Sequence, residues 1–141
     1  MLYNDWIHQQ LRVQPDGLAL YDLTADRPFT WREFNERIDA LARRLTAENI
    51  GAGDRVAYLG LNSSDVVEMF YATIRIGAVY VPLNFRLTPP ELSFIIGDCT
   101  PSAVLFDRAF EAVIKDIDAS VLPPVLIDTA LDGSESGYKK P

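Results

Sequence analysis

The sequence predicts an α/β fold: a mainly parallel sheet with helices on both faces, preceded by a small amino-terminal β-hairpin. From Arg55 to Asp128, short apolar runs alternate with segments of helical periodicity, which is the pattern of βαβ units. Parallel strands need a crossover helix between them, and this crossover is right-handed. The alternation of strands and helices favours a parallel sheet covered on both faces. Two short, weakly alternating runs between residues 18 and 30 precede this series and predict the hairpin.

The segment before the sheet begins with a predicted helix over residues 2–14. Its apolar residues fall near one face, and the Pro-Asp-Gly sequence at 15–17 ends it. Residues 18–23 suit the first strand of the hairpin, and residues 26–28 suit its turn. Phe29 then begins the second strand.

A second, longer helix begins at Thr30. The Thr30 hydroxyl and the Glu33 carboxylate have the spacing of a capping box. One apolar stripe follows at helical spacing, made of Trp31, Phe34, Ile38, Leu41, Ala42 and Leu45. The polar face carries acid-first pairs four residues apart, which are Glu33 with Arg37 and Asp39 with Arg43. Asn49 suits the left-handed position that closes such a helix, with Ile50 folding back onto Leu45.

The central unit is a predicted strand, helix and strand. Residues 54–60 form a short apolar run bounded by charges and by glycine. The helix over 66–76 has a capping side chain at 62 or 63, and Gly77 can end it in a left-handed conformation. The second strand follows Gly77, and we expect Pro82 to stop it.

Two more helix–strand pairs are predicted to complete the sheet. Thr88 caps a helix whose first turn accepts two prolines, and we expect it to end at residues 97–98. Residues 102–106 form a strand, and apolar positions over 109–117 mark a further helix face. After two prolines, residues 125–128 form the last strand.

Composition limits the partners and the compartment. The chain has 141 residues, 13 basic and 20 acidic side chains and a net charge of −7, so we expect neither nucleic acid nor an anionic membrane as a partner. Its amino terminus lacks the features of a secretory signal, and no apolar run is long enough for a transmembrane segment. Cys99 is the single cysteine and cannot form an internal disulfide. We therefore expect a cytoplasmic protein.

The domain organisation predicted from the sequence is one domain over residues 1–130 and a linker or disordered tail over residues 131–141. A chain of this length can bury a sizeable core. The last residues are mainly glycine, serine and charged residues, which have almost nothing to bury. We interpret a domain that stops in such a segment as an excised piece.

Several motifs of the chain resemble the amino-terminal part of the AMP-forming acyl-CoA synthetases, a superfamily that also contains luciferase and the adenylation domains of peptide synthetases. They occur in the family's order, and they are Thr30-Trp31-Arg32-Glu33-Phe34-Asn35, Gly53-Asp54-Arg55-Val56-Ala57, Asn62, Gly77-Ala78-Val79-Tyr80-Val81-Pro82-Leu83-Asn84, Arg86-Leu87 and Glu91-Leu92. The resemblance implies the N-terminal subdomain of the acyl-CoA synthetase-like fold.

The resemblance also implies a parent reaction, in which ATP and a fatty or other carboxylic acid form an acyl-adenylate that is passed to coenzyme A. The family binds phosphates with a Ser/Thr/Gly-rich loop ending in Pro-Lys-Gly, and it uses an aromatic-Thr-Glu motif for Mg²⁺, an acid on the ribose and a late lysine. None of these motifs is present, and Lys139-Lys140-Pro141 lacks the preceding Ser/Thr/Gly run. We therefore expect no catalytic, cofactor-binding or metal-binding residue here. ATP, Mg²⁺ and coenzyme A are implied for the parent only.

The strongest position for a phosphate is the turn over residues 60–64, at the carboxyl end of a strand and the start of a helix. It has one glycine and no phosphate-loop motif, so we interpret it as a capped turn. At residues 84–86 the sequence leaves two interpretations open. Asn84-Phe85-Arg86 forms either a polar rim that contacts the rest of an enzyme or a substrate channel, or a turn in which Arg86 pairs with a nearby acid.

The remaining candidate side chains have simpler interpretations. His8, the only histidine, is predicted to face solvent, and Cys99 to be a small buried apolar group. Tyr71, Tyr80 and Phe85 are predicted to lie in the core or at a domain interface.

Two functional hypotheses follow. The first is an architectural fragment of an acyl-CoA synthetase, inactive alone, whose partner is the rest of the large domain. Its exposed apolar faces would favour self-association. The alternative is a stand-alone, non-catalytic α/β module that binds a partner protein or a nucleotide. The acyl substrate, and the choice between the acyl-CoA synthetase and peptide-synthetase branches, stay open.

Overall fold

The computed structural model describes residues 5–129. Their elements are α1 (Trp6–Val13), β1 (Leu18–Asp22), β2 (Arg27–Thr30), α2 (Trp31–Ala47), β3 (Arg55–Leu59), α3 (Ser64–Ile76), β4 (Val79–Leu83), α4 (Pro89–Cys99), β5 (Ala103–Phe106), a 3₁₀ turn (Arg108–Phe110), α5 (Glu111–Asp116) and β6 (Val125–Asp128). The predicted tail, residues 131–141, lies outside the described residues.

Strands β3 to β6 form one parallel sheet in the order β4-β3-β5-β6. Strands β1 and β2 form a separate antiparallel hairpin. The predicted fold class is therefore confirmed: a parallel sheet with a small amino-terminal hairpin.

The alternation of side chains along β3 divides the core between the two faces of the sheet. Val56 and Tyr58 point to a cluster formed with the hairpin and helices α1, α2 and α3. Ala57 and Leu59 point to a second cluster that α4 and α5 cover. All four side chains are almost fully buried, as expected for a strand between two helical layers.

The residues at both ends of α2 form the capping hydrogen bonds that the sequence predicts. The Glu33 carboxylate accepts from the Thr30 N–H at 2.9 Å, and the Thr30 hydroxyl accepts from the Glu33 N–H at 3.2 Å. At the other end, Asn49 has a φ of 62°, and the Ile50 N–H donates to the Leu45 carbonyl at 3.1 Å. This is the Schellman ending that the sequence predicts.

Several predicted boundaries were wrong. The first helix runs from Trp6 to Val13, between Asp5 as N-cap and Gln14 as C-cap, whereas residues 2–4 of the predicted helix lie outside the described residues. Trp6, one of the apolar residues of this helix, is 65% exposed. The hairpin turn lies at residues 23–26, before the predicted 26–28, because pairing with β1 begins at Arg27. The helix predicted over 109–117 is divided between the 3₁₀ turn and α5.

Two breaker residues lie inside elements instead of ending them. Pro82 belongs to β4, which is an edge strand of the described sheet, where a missing N–H costs little. Gly97 lies within α4, and a Cβ there would come within 3.3 Å of the Val121 side chain. Glycine at this position permits the chain after α5 to approach the helix closely.

Candidate functional site

The carboxyl edge of the parallel sheet is the place where open α/β sheets bind ligands. Four segments meet this edge, one after each strand, beginning at Gly60, Asn84, Asp107 and Thr129. Any ligand site of the described residues would therefore be formed by the side chains and backbone groups of these segments and of the start of α3.

The amino terminus of α3 is capped by a residue from the hairpin. The Asp22 carboxylate accepts from the Ser64 N–H at 2.8 Å, and its other oxygen accepts from the N–H groups of Thr24 and Ala25 at 2.9 and 3.1 Å. The Ser63 side chain makes no capping hydrogen bond. The expected cap from residue 62 or 63 was therefore wrong, and the cap comes from a residue about forty positions earlier.

Asp22 is only 4% exposed, and its ionisation depends on these bonds. Burial opposes the charged form, but the hydrogen bonds from Ser64, Ala25 and Thr24 outweigh it and hold the pKa of Asp22 below its ordinary value. A negative charge at this helix end is also favoured by the helix dipole.

The turn over residues 60–64 does not fit a phosphate. The place that an anion would take at the start of α3 is occupied by the Asp22 carboxylate. Asp65, which is 3% exposed, adds a second acid to the first turn of the helix. A bound phosphate would meet two carboxylates and lose the Ser64 N–H as a donor.

The buried ring of Tyr58 packs closely against the same turn at Gly60. Its side chain is 2% exposed, and burial, with the charge of Asp65, raises its pKa. A Cβ built on Gly60 would lie 2.4 Å from the Tyr58 hydroxyl oxygen. Glycine is therefore required at residue 60 by the close approach of this ring.

The segment after β4 is a tight turn with an exposed arginine. The Asn84 side-chain oxygen accepts from the Arg86 N–H at 3.0 Å, so Asn84 closes the turn as expected. The Arg86 guanidinium lies 4.8 Å from the centre of the Phe85 ring, which lies 6.0 Å from Phe110. Of the two interpretations of residues 84–86, the one in which Arg86 pairs with a nearby acid was wrong, because no acid among the described residues pairs with it and its guanidinium lies over the Phe85 ring instead.

The other residues singled out in the sequence form no reactive arrangement among the described residues. His8 is about half exposed, with its Nδ1 3.0 Å from an Asp5 carboxylate oxygen. Cys99 is partly buried, and burial raises the pKa of its thiol, which keeps it protonated. Tyr71 and Tyr80 pack against the core from partly exposed positions, as expected for core or interface residues.

Neither a cluster of three or more possible metal ligands nor a membrane-spanning helix was found in the part of the chain that the structure describes. No group of three or more His, Cys, Asp or Glu side chains there could hold a metal ion. No helix within residues 5–129 is both long enough and apolar enough to cross a bilayer.

Comparison with protein families gives one match that covers most of the chain. The model of the AMP-binding enzyme family matches residues 7–139. The chain belongs to the AMP-binding enzyme family. This confirms the resemblance drawn from the motifs between Thr30 and Leu92.

The relatives of this AMP-binding family member include acyl-CoA ligases, a fatty acid–acyl-carrier-protein ligase and hybrid PKS-NRPS synthetases. The chain is 36% identical over 118 residues to the long-chain-fatty-acid–CoA ligase FadD13 of Mycobacterium tuberculosis, covering 84% of the chain and 24% of that ligase. It superposes on a Mycobacterium tuberculosis fatty acyl-CoA synthetase with a TM-score of 0.81 and 33% identity, covering 94% of the chain and 27% of that structure.

A further solved relative is an anthranilate–CoA ligase, AuaEII, in complex with anthranoyl-AMP. Its TM-score is 0.83 at 26% identity, covering 97% of the chain and 27% of that structure. The chain thus spans about a quarter of the length of the relatives it matches. The matched part carries the α/β architecture described above.

Proposed function

We propose that this chain is the amino-terminal, architectural part of an ATP-dependent, AMP-forming ligase that joins a carboxylic acid to coenzyme A through an acyl-adenylate. The observation that carries the proposal is the match to a fatty-acid–CoA ligase over 84% of the chain but only 24% of that ligase. The domain over residues 1–130 would then form part of the ligase's large domain, with residues 131–141 as a linker to the remainder. The enzyme would work in the cytoplasm.

The 141 residues alone are proposed to be inactive. Adenylation needs cations and donors placed on developing phosphate charge. At the start of α3, the strongest phosphate position in the sequence, the Asp22 carboxylate takes the amide donor instead. ATP, Mg²⁺ and coenzyme A would therefore be bound chiefly by the rest of the enzyme.

The proposal names the reaction class and leaves the acid open. The relatives include a ligase for long-chain fatty acids and one for anthranilate, so one architecture serves acids of very different shape. Transfer from the adenylate to coenzyme A is favoured because the fatty-acid, indoleacetate and feruloyl relatives are named as CoA ligases or synthases. Peptide-synthetase adenylation is the alternative, because hybrid PKS-NRPS synthetases match at 33% and 35% identity.

Calorimetric titration with ATP and Mg²⁺ tests the proposal. We expect no binding to the 141-residue chain, and binding to full-length FadD13 under the same conditions as the control. Tight binding to the chain would contradict the proposal and favour a stand-alone nucleotide-binding module. Translation of the source gene beyond Pro141 is the second test, because an early stop codon would leave the ligase interpretation true only by descent.

A further inference from the structure

Strand β4 leaves one side of its backbone unpaired within residues 5–129, because β3 is its single neighbour. The Val79 N–H donates to the Asp54 carbonyl at 2.7 Å, so the backbone groups of Val79 face β3. Alternate residues of a parallel strand point to opposite sides, so Tyr80 and Pro82 direct their backbone groups outward. Pro82 has no N–H. The open side therefore presents one backbone donor, that of Tyr80.

Apolar side chains surround this backbone. Phe70 of α3 is 43% exposed and makes edge-to-face contacts with Tyr71 and Tyr80, with ring centres 5.4 and 6.0 Å apart. Val79 is 49% exposed, and its side chain points to the opposite face of the sheet from Tyr80, so that apolar groups lie on both sides of the open edge. We call these four residues, Phe70, Tyr71, Val79 and Tyr80, the β4 surface. Aromatic side chains that pack on one another while partly exposed are typical of contact surfaces.

We propose that the β4 surface is where the remaining polypeptide of a full-length ligase packs onto this domain, and that it does so with side chains and without adding a β-strand. The inference rests on the proposed function. The matched residues make up about a quarter of these relatives, so most of the polypeptide of such an enzyme lies outside this chain. With one outward donor, the edge is a poor template for strand pairing, whereas its apolar side chains suit a covering helix or loop.

Thiol labelling in a chimera tests the surface directly. The chain, carrying Cys99→Ala, replaces the amino-terminal part of FadD13, and single cysteines are introduced as Phe70→Cys or Val79→Cys. Glu36→Cys, on the exposed face of α2, is the matched control. Site-resolved mass spectrometry compares labelling rates in the chimera and in the isolated chain. We expect protection of at least about tenfold for the two surface variants, and none for Glu36→Cys.

The chimera's CoA-ligase activity is measured separately, so that the two proposals fail independently. An active chimera in which Phe70→Cys labels as fast as in the isolated chain overturns the docking inference and leaves the proposed function standing. A protected surface in a folded but inactive chimera supports the docking inference and counts against the proposed function.

Sedimentation of the isolated chain keeps the inference falsifiable if the chimera does not fold. An uncovered β4 surface should cause self-association that rises with concentration. Phe70→Lys should abolish it, whereas Phe94→Lys, at a phenylalanine of α4 that is 77% exposed, should not. A chain that is monomeric at all concentrations, or one whose association Phe70→Lys leaves unchanged, would overturn the inference.

Discussion

Replacing Asp22 by asparagine should loosen the hairpin from the start of α3. The carboxylate is 4% exposed and accepts from three backbone N–H groups, one of them from Ser64 across the two elements. An asparagine oxygen can keep the bonds within the hairpin turn, but its amide group would then face the Ser64 N–H. Losing one hydrogen bond to a charged acceptor costs about 1.5–3 kcal/mol, so we expect Asp22→Asn to lower the free energy of unfolding by about 2 kcal/mol.

Urea unfolding followed by circular dichroism measures this effect and its pH dependence. The pKa of Asp22 is lower in the folded chain than in the unfolded chain, so its stabilisation is present above the unfolded pKa and is lost as pH falls through the folded pKa. The difference between wild type and Asp22→Asn should therefore be full at neutral pH and shrink in acid.

Asp16→Asn is the control for Asp22→Asn. Asp16 forms a surface ion pair with Arg32, so its replacement should leave stability almost unchanged. Equal stability of wild type and Asp22→Asn at neutral pH, or a difference that persists undiminished in strong acid, would refute the account of the cap.

Three further substitutions test the packing that supports the same region, each by the same unfolding measurement. Gly60→Ala should cost about 1–3 kcal/mol because its Cβ meets a buried tyrosine hydroxyl, whereas Gly51→Ala, where a Cβ meets nothing within 4 Å, should cost far less. Arg37→Met should cost about 3–5 kcal/mol by removing the guanidinium that lies 2.5 Å from the fully buried carboxylate of Glu68, and adding Glu68→Leu should recover part of that loss. Thr30→Ala should cost about 1 kcal/mol by removing the cap of α2.

Features that depend on neighbouring residues could be predicted from the sequence. The capping box at Thr30 and the left-handed Asn49 involve groups within a few positions of each other, so the residue types alone specify them. The alternation of apolar strands and helices likewise dictates a parallel sheet. These signals were sufficient for the fold class and for most elements.

Features that join distant segments could not be predicted. The polar face of α2 suggested ion pairs within the helix, but Arg37 binds Glu68 of α3, and Asp39 binds Arg75 of α3 at 2.7 Å. Pro82 looked like a strand end because the sequence does not say which strands lie at an edge. The cap of α3 was not predicted because Asp22 lies about forty positions before Ser64, and nothing near Ser64 in the sequence indicates that the two residues will be neighbours.

Acyl-CoA formation measured side by side tests the central claim most directly. The 141-residue chain and the complete product of its source gene would be given ATP, Mg²⁺, coenzyme A and a panel of fatty and aromatic acids. The account predicts acyl-CoA and AMP from the complete product and neither from the chain alone. Acyl-adenylate formed by the chain alone, or no ligation by the complete product with any acid, would contradict it.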